Sequence, residues 1–150
     1  MSIKNPKTFF RHVIGLLAGL AMTGLVTTAF AASDLDKAIN AGAKRLTGEE
    51  IAGRLTGKTA TFVTAGGDKT FLIFYGEDNK VVGSKVGGGW SDSGFQAITD
   101  GDKICLGWKG SDLPKLRCFD VLLIDGELHK FKPDGSRSGQ VTDLSDGNTI

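Results

Sequence analysis

Strand-like runs of apolar and polar residues, separated by turn residues, fill the chain from about residue 59 to residue 131. A period of two is typical of β-strands, because successive side chains point to opposite faces. Gly, Asp, Asn and Ser between the runs are typical of turns. The pattern predicts strands over residues 59–64, 70–75, 80–86, 94–99, 102–108, 115–123 and 128–131. We expect a mainly β fold, an antiparallel meander that forms a small barrel or a strongly curved sheet.

Two of these runs depart from simple alternation. Thr70–Tyr75 is apolar at consecutive positions, which predicts a central strand covered on both faces. Asp125-Gly126 is the strongest hairpin-turn signal in the chain. Residues 128–131 alternate poorly against the run before that turn, so a bulge or a longer loop is expected at this hairpin.

One short N-terminal helix is predicted before the strands, over Thr47–Thr56. It begins with a capping box, in which the Thr47 hydroxyl accepts from the Glu50 amide and the Glu50 side chain reaches back to Thr47. Ile51 and Leu55 share one face of this helix. We therefore expect the helix to pack on the sheet through that face.

The first 31 residues have the organisation of a secretory signal peptide. Three basic residues and no acidic one precede an apolar stretch, residues 13–30, which ends in the small-x-small cleavage motif Ala29-Phe30-Ala31. An uncleaved membrane anchor is the alternative, because the stretch approaches the ~20 residues that a bilayer requires. No basic stop-transfer cluster follows it, so we expect cleavage after Ala31, no stable membrane anchor, and a periplasmic or secreted protein.

Cleavage changes the charge of the chain. It removes three of the 18 basic residues and none of the 17 acidic ones, which leaves the mature chain with two net negative charges. Nucleic-acid binders usually present a concentrated basic face, so nucleic acid is not an expected partner. The remaining length suits one domain with a modest core.

The composition divides the chain into four parts. The signal peptide, residues 1–31, is followed by an N-terminal lead segment, 32–45, which can form a short helix of its own. The β-rich domain is predicted over 46–132. Residues 133–150 are polar and rich in Ser, Gly and Asp, which predicts a flexible C-terminal tail.

Cys105 and Cys118 are the only cysteines, and an even pair in a small exported domain predicts a structural disulfide. A redox-active pair would need closer spacing, such as Cys-x-x-Cys. If the two sulfurs face each other in an antiparallel hairpin, Lys103 lies opposite Asp120. The other face then carries one charge, Arg117, and is otherwise apolar enough to form core, with Ile104, Leu106, Trp108, Phe119, Val121 and Leu123.

Several of these motifs resemble those of a family of small exported bacterial proteins, domain of unknown function 995. The resemblance covers about residues 46–135 and lies in the segments 46–51, 55–59, 89–90, 105–108 and 117–119. It implies an exported, disulfide-bearing β-domain and brings no activity and no catalytic residues. The segment before Trp90 is richer in Gly than the family pattern, which leaves the position of that strand open.

No catalytic or metal-binding constellation is visible in the mature chain. Its single histidine is His129, and the Gly-x-Ser-x-Gly and Ser-x-x-Lys motifs are absent. The acidic pairs are explained by helix capping and by turns. One histidine and two paired cysteines do not make a zinc site, and Gly87-Gly88-Gly89 lacks the Lys-Ser/Thr pair of a phosphate-binding loop. We predict no catalytic residue, no metal and no cofactor.

The aromatic residues supply the candidate contacts. Trp90 and Trp108 each sit beside Gly at a strand end, where a half-exposed indole can anchor a ligand or partner. The alternative is that they plug the end of a barrel. Together with Tyr75 they are the predicted contacts for a small apolar ligand or an envelope component.

Three functions remain open, and each predicts a different structure. A binder of a small apolar molecule, with a lipocalin-like pocket, needs an internal cavity of a few hundred Å³ lined by aromatic residues. A protein-binding module, such as an inhibitor of a cell-wall lytic enzyme, needs a protruding loop over a filled core, with Lys109–Pro114 as the candidate. A minor hydrolase needs His129 in a cleft, within hydrogen-bond reach of a serine or carboxylate.

Overall fold

This computed structural model describes residues 31–110 and 116–150. They contain two short helices and nine strands. The helices are α1 (Asp34–Asn40) and α2 (Gly48–Leu55). The strands are β1 (Lys44–Arg45), β2 (Lys58–Thr64), β3 (Thr70–Tyr75), β4 (Lys80–Lys85), β5 (Ser91–Ile98), β6 (Lys103–Trp108), β7 (Arg117–Ile124), β8 (Glu127–Phe131) and β9 (Arg137–Asp146). The predicted signal sequence, apart from Ala31, and residues 111–115 lie outside the described residues.

The strands from β2 to β9 form an antiparallel meander that closes into an eight-stranded barrel. Each strand pairs with the next along the chain, and β9 pairs with β2 to complete the ring. The two-residue β1 pairs with Leu122 and Leu123, near the C-terminal end of β7. The predicted fold class is confirmed, and of its two variants the closed barrel is the one observed.

The hairpin of β6 and β7 has the predicted register. Cys105 lies opposite Cys118 and the two form a disulfide, and Lys103 lies opposite Asp120. The Asp120 side chain is buried, and its carboxylate accepts from Lys103 Nζ at 2.7 Å and from Arg45 Nη2 at 2.7 Å. Because a buried carboxylate needs such partners, these contacts also hold β1 against the barrel.

The C-terminal segment corrects the sequence prediction. In place of a flexible tail over residues 133–150, ten residues form β9, which hydrogen-bonds to β8 on one side and to β2 on the other. The strand needs few apolar side chains: Val141 is buried, and Gly139 leaves room for the Phe62 ring, since a Cβ atom there would lie 2.6 Å from Phe62 Cζ. The remaining side chains are mostly polar and exposed or half-exposed, so the hydropathy of the sequence does not indicate a strand here.

Two further expectations about the strands are also corrected. On β3, Leu72 and Phe74 are partly exposed, because the barrel wall has no second layer outside it here. After Asp125-Gly126 the chain turns tightly, with Ile124 opposite Glu127, instead of forming a longer loop. The register shift lies instead in the pairing of β8 with β9, between Lys130 and Phe131.

Helix α2 closes one end of the barrel. The reciprocal capping box of Thr47 and Glu50 is present, as predicted. Ile51 and Leu55 are fully buried in the core, and Gly48 N donates to Asp102 Oδ1 at 2.6 Å, at the start of β6. No helix within the described residues is long and apolar enough to cross a membrane.

Candidate functional site

A cavity of about 650 Å³ opens at the barrel end opposite α2, where β3, β5, β7 and β9 begin. Every one of the eight barrel strands, or the turn that leads into it, contributes to its wall. The apolar part of the wall consists of Phe62, Phe71, Ile73, Trp90, Leu106, Trp108 and Phe119. The barrel interior is therefore packed near α2 and hollow at the other end.

The two indoles form one aromatic wall of the cavity. Trp90 and Trp108 meet edge to face with ring centroids 5.1 Å apart, and Phe71 meets Trp90 at 5.5 Å in the same manner. Edge-to-face contacts are favourable for aromatic pairs. The space for both indoles comes from Gly83 on β4, where a Cβ atom would lie 2.7 Å from Trp108 Cη2 and 2.8 Å from Trp90 Cη2.

The charged groups at the cavity mouth are mostly basic. Of the residues that the structure describes, Lys69, Lys85 and Arg117 line it, together with one carboxylate, that of Asp92. Asp92 already accepts two backbone N–H groups, from Ser93 at 2.7 Å and from Gly110 at 2.9 Å. Its charge is thus partly neutralised by the backbone. Lys69 Nζ lies 3.7 Å from Asp68 Oδ2, outside the wall, which leaves Lys85 and Arg117 as the unpaired bases among the described lining residues at the mouth.

One basic side chain lies inside the barrel. Lys130 projects from β8 into the cavity with only 2% of its surface exposed. Its Nζ is hydrogen-bonded to the Tyr75 hydroxyl and lies 5.0 to 5.8 Å from the ring centroids of Tyr75, Phe62 and Phe119. Among the described residues, no carboxylate lies within 4 Å of this nitrogen.

The structure separates the three candidate contacts. Trp90 and Trp108 both line the cavity and are partly buried. Tyr75 is fully buried and is not among the residues that line the cavity, and its hydroxyl is hydrogen-bonded to Lys130. Sequence reasoning missed Lys130, because only the register of the β7–β8 hairpin, in which Lys130 lies opposite Val121, places it in the barrel. It did single out Arg117, as the one charge on the inner face of the hairpin.

His129 lies on the opposite side of the same strand. It pairs with Leu122 on β7, it does not line the cavity, and its Nδ1 is buried without a hydrogen-bond partner. Its Nε2 is 3.8 Å from Glu127 Oε2, beyond hydrogen-bonding distance. Burial lowers the pKa of His129, and Arg137 lowers it further, while the carboxylates of Glu127 and Asp125 oppose this shift.

Two further features were predicted from the sequence, the loop Lys109–Pro114 and the glycine run before Trp90. Of the candidate inhibitory loop Lys109–Pro114, only Lys109 and Gly110 belong to the described residues. Gly87-Gly88-Gly89 forms the turn between β4 and β5, with positive φ at all three residues. Within the described chain, no three His, Cys, Asp or Glu side chains cluster in a way that could hold a metal ion.

Comparison with family models, with curated proteins and with solved structures finds no match to this chain. The resemblance to domain of unknown function 995 therefore stays a prediction. The cavity and its charged groups are the features of the molecule that bear on function.

Proposed function

We propose that the mature chain is an exported binding protein for a small, largely apolar molecule, which it holds in the open end of the barrel. The observation that carries this proposal is the aromatic-walled cavity. Its volume of about 650 Å³ falls in the range of small-molecule pockets, roughly 300–1,000 Å³. Apolar walls with a few polar groups are also typical of such pockets.

The place of action in this proposal is the periplasm or the exterior of a bacterial cell. The disulfide between Cys105 and Cys118 supports it, because such bonds persist mainly in oxidising compartments. The predicted signal peptide points the same way.

The cavity favours this function over the two alternatives. For an inhibitor of a lytic enzyme we expected a filled core beneath a protruding loop, and the barrel is hollow on the side of that loop. For a hydrolase we expected His129 in a cleft, and this side chain lies on the outer side of β8. No specific observation supports a second candidate.

The chain contains a built-in reporter for a binding experiment. Its only two tryptophans, Trp90 and Trp108, both line the cavity. The neutral dye N-phenyl-1-naphthylamine absorbs where tryptophan emits. We expect titration with this dye to quench the tryptophan emission saturably at one dye per protein.

Gly83→Ala tests whether the dye enters this cavity. The new methyl group lies too close to both indoles and displaces them, so we expect roughly tenfold weaker dye binding. Gly53→Ala on α2 is the matched control, because its Cβ meets nothing within 4 Å, and it leaves the affinity unchanged. A lack of saturable quenching in the wild-type protein would refute the proposal, as would equal dye affinities for both variants.

A further inference from the structure

The side chain of Lys130 is unusual because it is buried and, among the described residues, no carboxylate lies within 4 Å of its Nζ. An ammonium has three N–H donors, and a buried charge is costly unless it is paired and hydrogen-bonded. The Tyr75 hydroxyl supplies one polar partner, and three aromatic rings supply weaker cation–π attraction. Hydrogen-bonding capacity is left over at a nitrogen that borders an open cavity.

The rest of the cavity indicates what completes this arrangement. The side chains between the mouth and Lys130 are largely aromatic and aliphatic, so an apolar body can lie among them. The mouth carries Lys69, Lys85 and Arg117, which attract anions from solution. The one acidic side chain among the described residues of the wall, Asp92, accepts from two backbone N–H groups. The electrostatic pattern fits a negative ligand and disfavours a positive one.

We propose that the ligand is an amphipathic organic anion that enters with its charged end first. A singly charged oxyanion group, such as a carboxylate, accepts from Lys130 Nζ, and the apolar body fills the space between Trp90, Trp108 and Phe62. This inference rests on the proposed function, since it names the class of ligand for the same cavity. Tyr75 acts here as a positioning residue, because its hydroxyl holds the ammonium without lining the cavity.

Two dyes that differ by one charged group test this inference. 8-Anilinonaphthalene-1-sulfonate is N-phenyl-1-naphthylamine with an added sulfonate. In Lys130→Met an apolar side chain of similar length replaces the ammonium. We expect the variant to bind the sulfonate dye about 10- to 100-fold more weakly, because a hydrogen bond to a charged group is lost. Its affinity for the neutral dye stays the same or rises.

Lys132→Met is the matched control. It removes the same charge two residues further along, at an exposed position outside the cavity, and it leaves both affinities unchanged. A rim variant, Lys85→Met, reports the orientation of the anion. If Lys85→Met, and not Lys130→Met, causes the selective loss of the sulfonate dye, the charged group sits at the mouth and the inference is wrong.

The outcomes separate the inference from the function that it builds on. If neither dye binds the wild-type protein, the proposed function itself fails. If both bind and Lys130→Met leaves the ratio of the two affinities unchanged, binding stands and the anion assignment is overturned. A lower melting temperature with an unchanged ratio would make Lys130 a purely structural residue.

If Lys130→Met does not fold, a competition experiment on the wild-type protein tests whether the cavity prefers an anionic ligand. Dodecanoate and 1-dodecanol share one alkyl chain and differ in the charged end. We expect dodecanoate to displace N-phenyl-1-naphthylamine at a roughly tenfold lower concentration than the alcohol, although it is the more water-soluble of the two. Displacement by the alcohol at an equal or lower concentration would overturn the inference.

Discussion

His129 and Lys130 are neighbours on β8, and their side chains face opposite sides of the barrel wall. Lys130 faces the cavity, where a hydroxyl and three aromatic rings surround its ammonium group. His129 faces outward into a covered position, and its Nδ1 has no hydrogen-bond partner. Lys130 is the residue that contacts the proposed ligand, whereas burial makes protonation of His129 unfavourable.

The pH dependence of stability follows from His129. Burial and the nearby Arg137 lower its pKa in the folded protein, against the opposing carboxylates of Glu127 and Asp125. As pH falls through the unfolded value of about 6.5, the unfolded chain binds a proton that the folded chain does not. The free energy of unfolding therefore decreases over this window. We expect a lower urea midpoint at about pH 5.5 than at about pH 7.5.

His129→Phe is the variant that isolates this effect. It removes the titrating group and keeps a ring at the same position, so the difference between the two urea midpoints shrinks. The same variant at about pH 7.5 shows how well the site accepts a phenyl ring. A pH difference as large in His129→Phe as in the wild-type protein would assign the effect to other groups.

The site residues differ in how far sequence could predict them. Trp90 and Trp108 could be singled out, because an indole beside Gly at a strand end lies near a barrel opening. Lys130 could be placed only with the register of the hairpin: the tight turn at Asp125-Gly126 sets it opposite Val121. A lysine in a poorly alternating run carries no such information by itself.

At the scale of elements, strands with apolar inner faces were predictable and β9 was not. Its inner face includes a glycine, and its outer face is polar, so neither periodicity nor hydropathy marks it. Backbone hydrogen bonds to β2 and β8 hold the strand in place, and they leave no trace in side-chain composition. The four-residue capping box of α2, by contrast, is local and can be recognised directly in the sequence.

Truncation tests the role of β9. A chain that ends after Ser136 lacks the whole strand, so the barrel cannot close and the edges of β2 and β8 are left unpaired. Open edges promote aggregation, and we expect loss of the cooperative thermal transition, measured by circular dichroism. A chain that ends after Asn148 keeps β9 and melts as a folded domain. If both truncations melt like the full chain, β9 is not required for the fold.

At the scale of the whole domain, the barrel is closed at one end and open at the other. Helix α2 and the buried core fill one end, and the other end holds the aromatic cavity with its basic mouth. Phe62 on β2 is distant in sequence from Phe119 and Lys130 on the hairpin of β7 and β8, and it meets them because β9 closes the ring between β8 and β2. The cavity therefore could not be predicted from local patterns, whereas the fold class could.

The central claim is that a small molecule binds in the cavity, and the most direct test locates the bound ligand there. A ¹H–¹⁵N spectrum of the mature chain should contain two indole N–H signals, from Trp90 and Trp108. We predict that N-phenyl-1-naphthylamine shifts both signals and leaves the amide signals of Ile51 and Gly126, at the closed end, in place. Unmoved indole signals, with shifts confined to the closed end or the outer surface, would contradict the account.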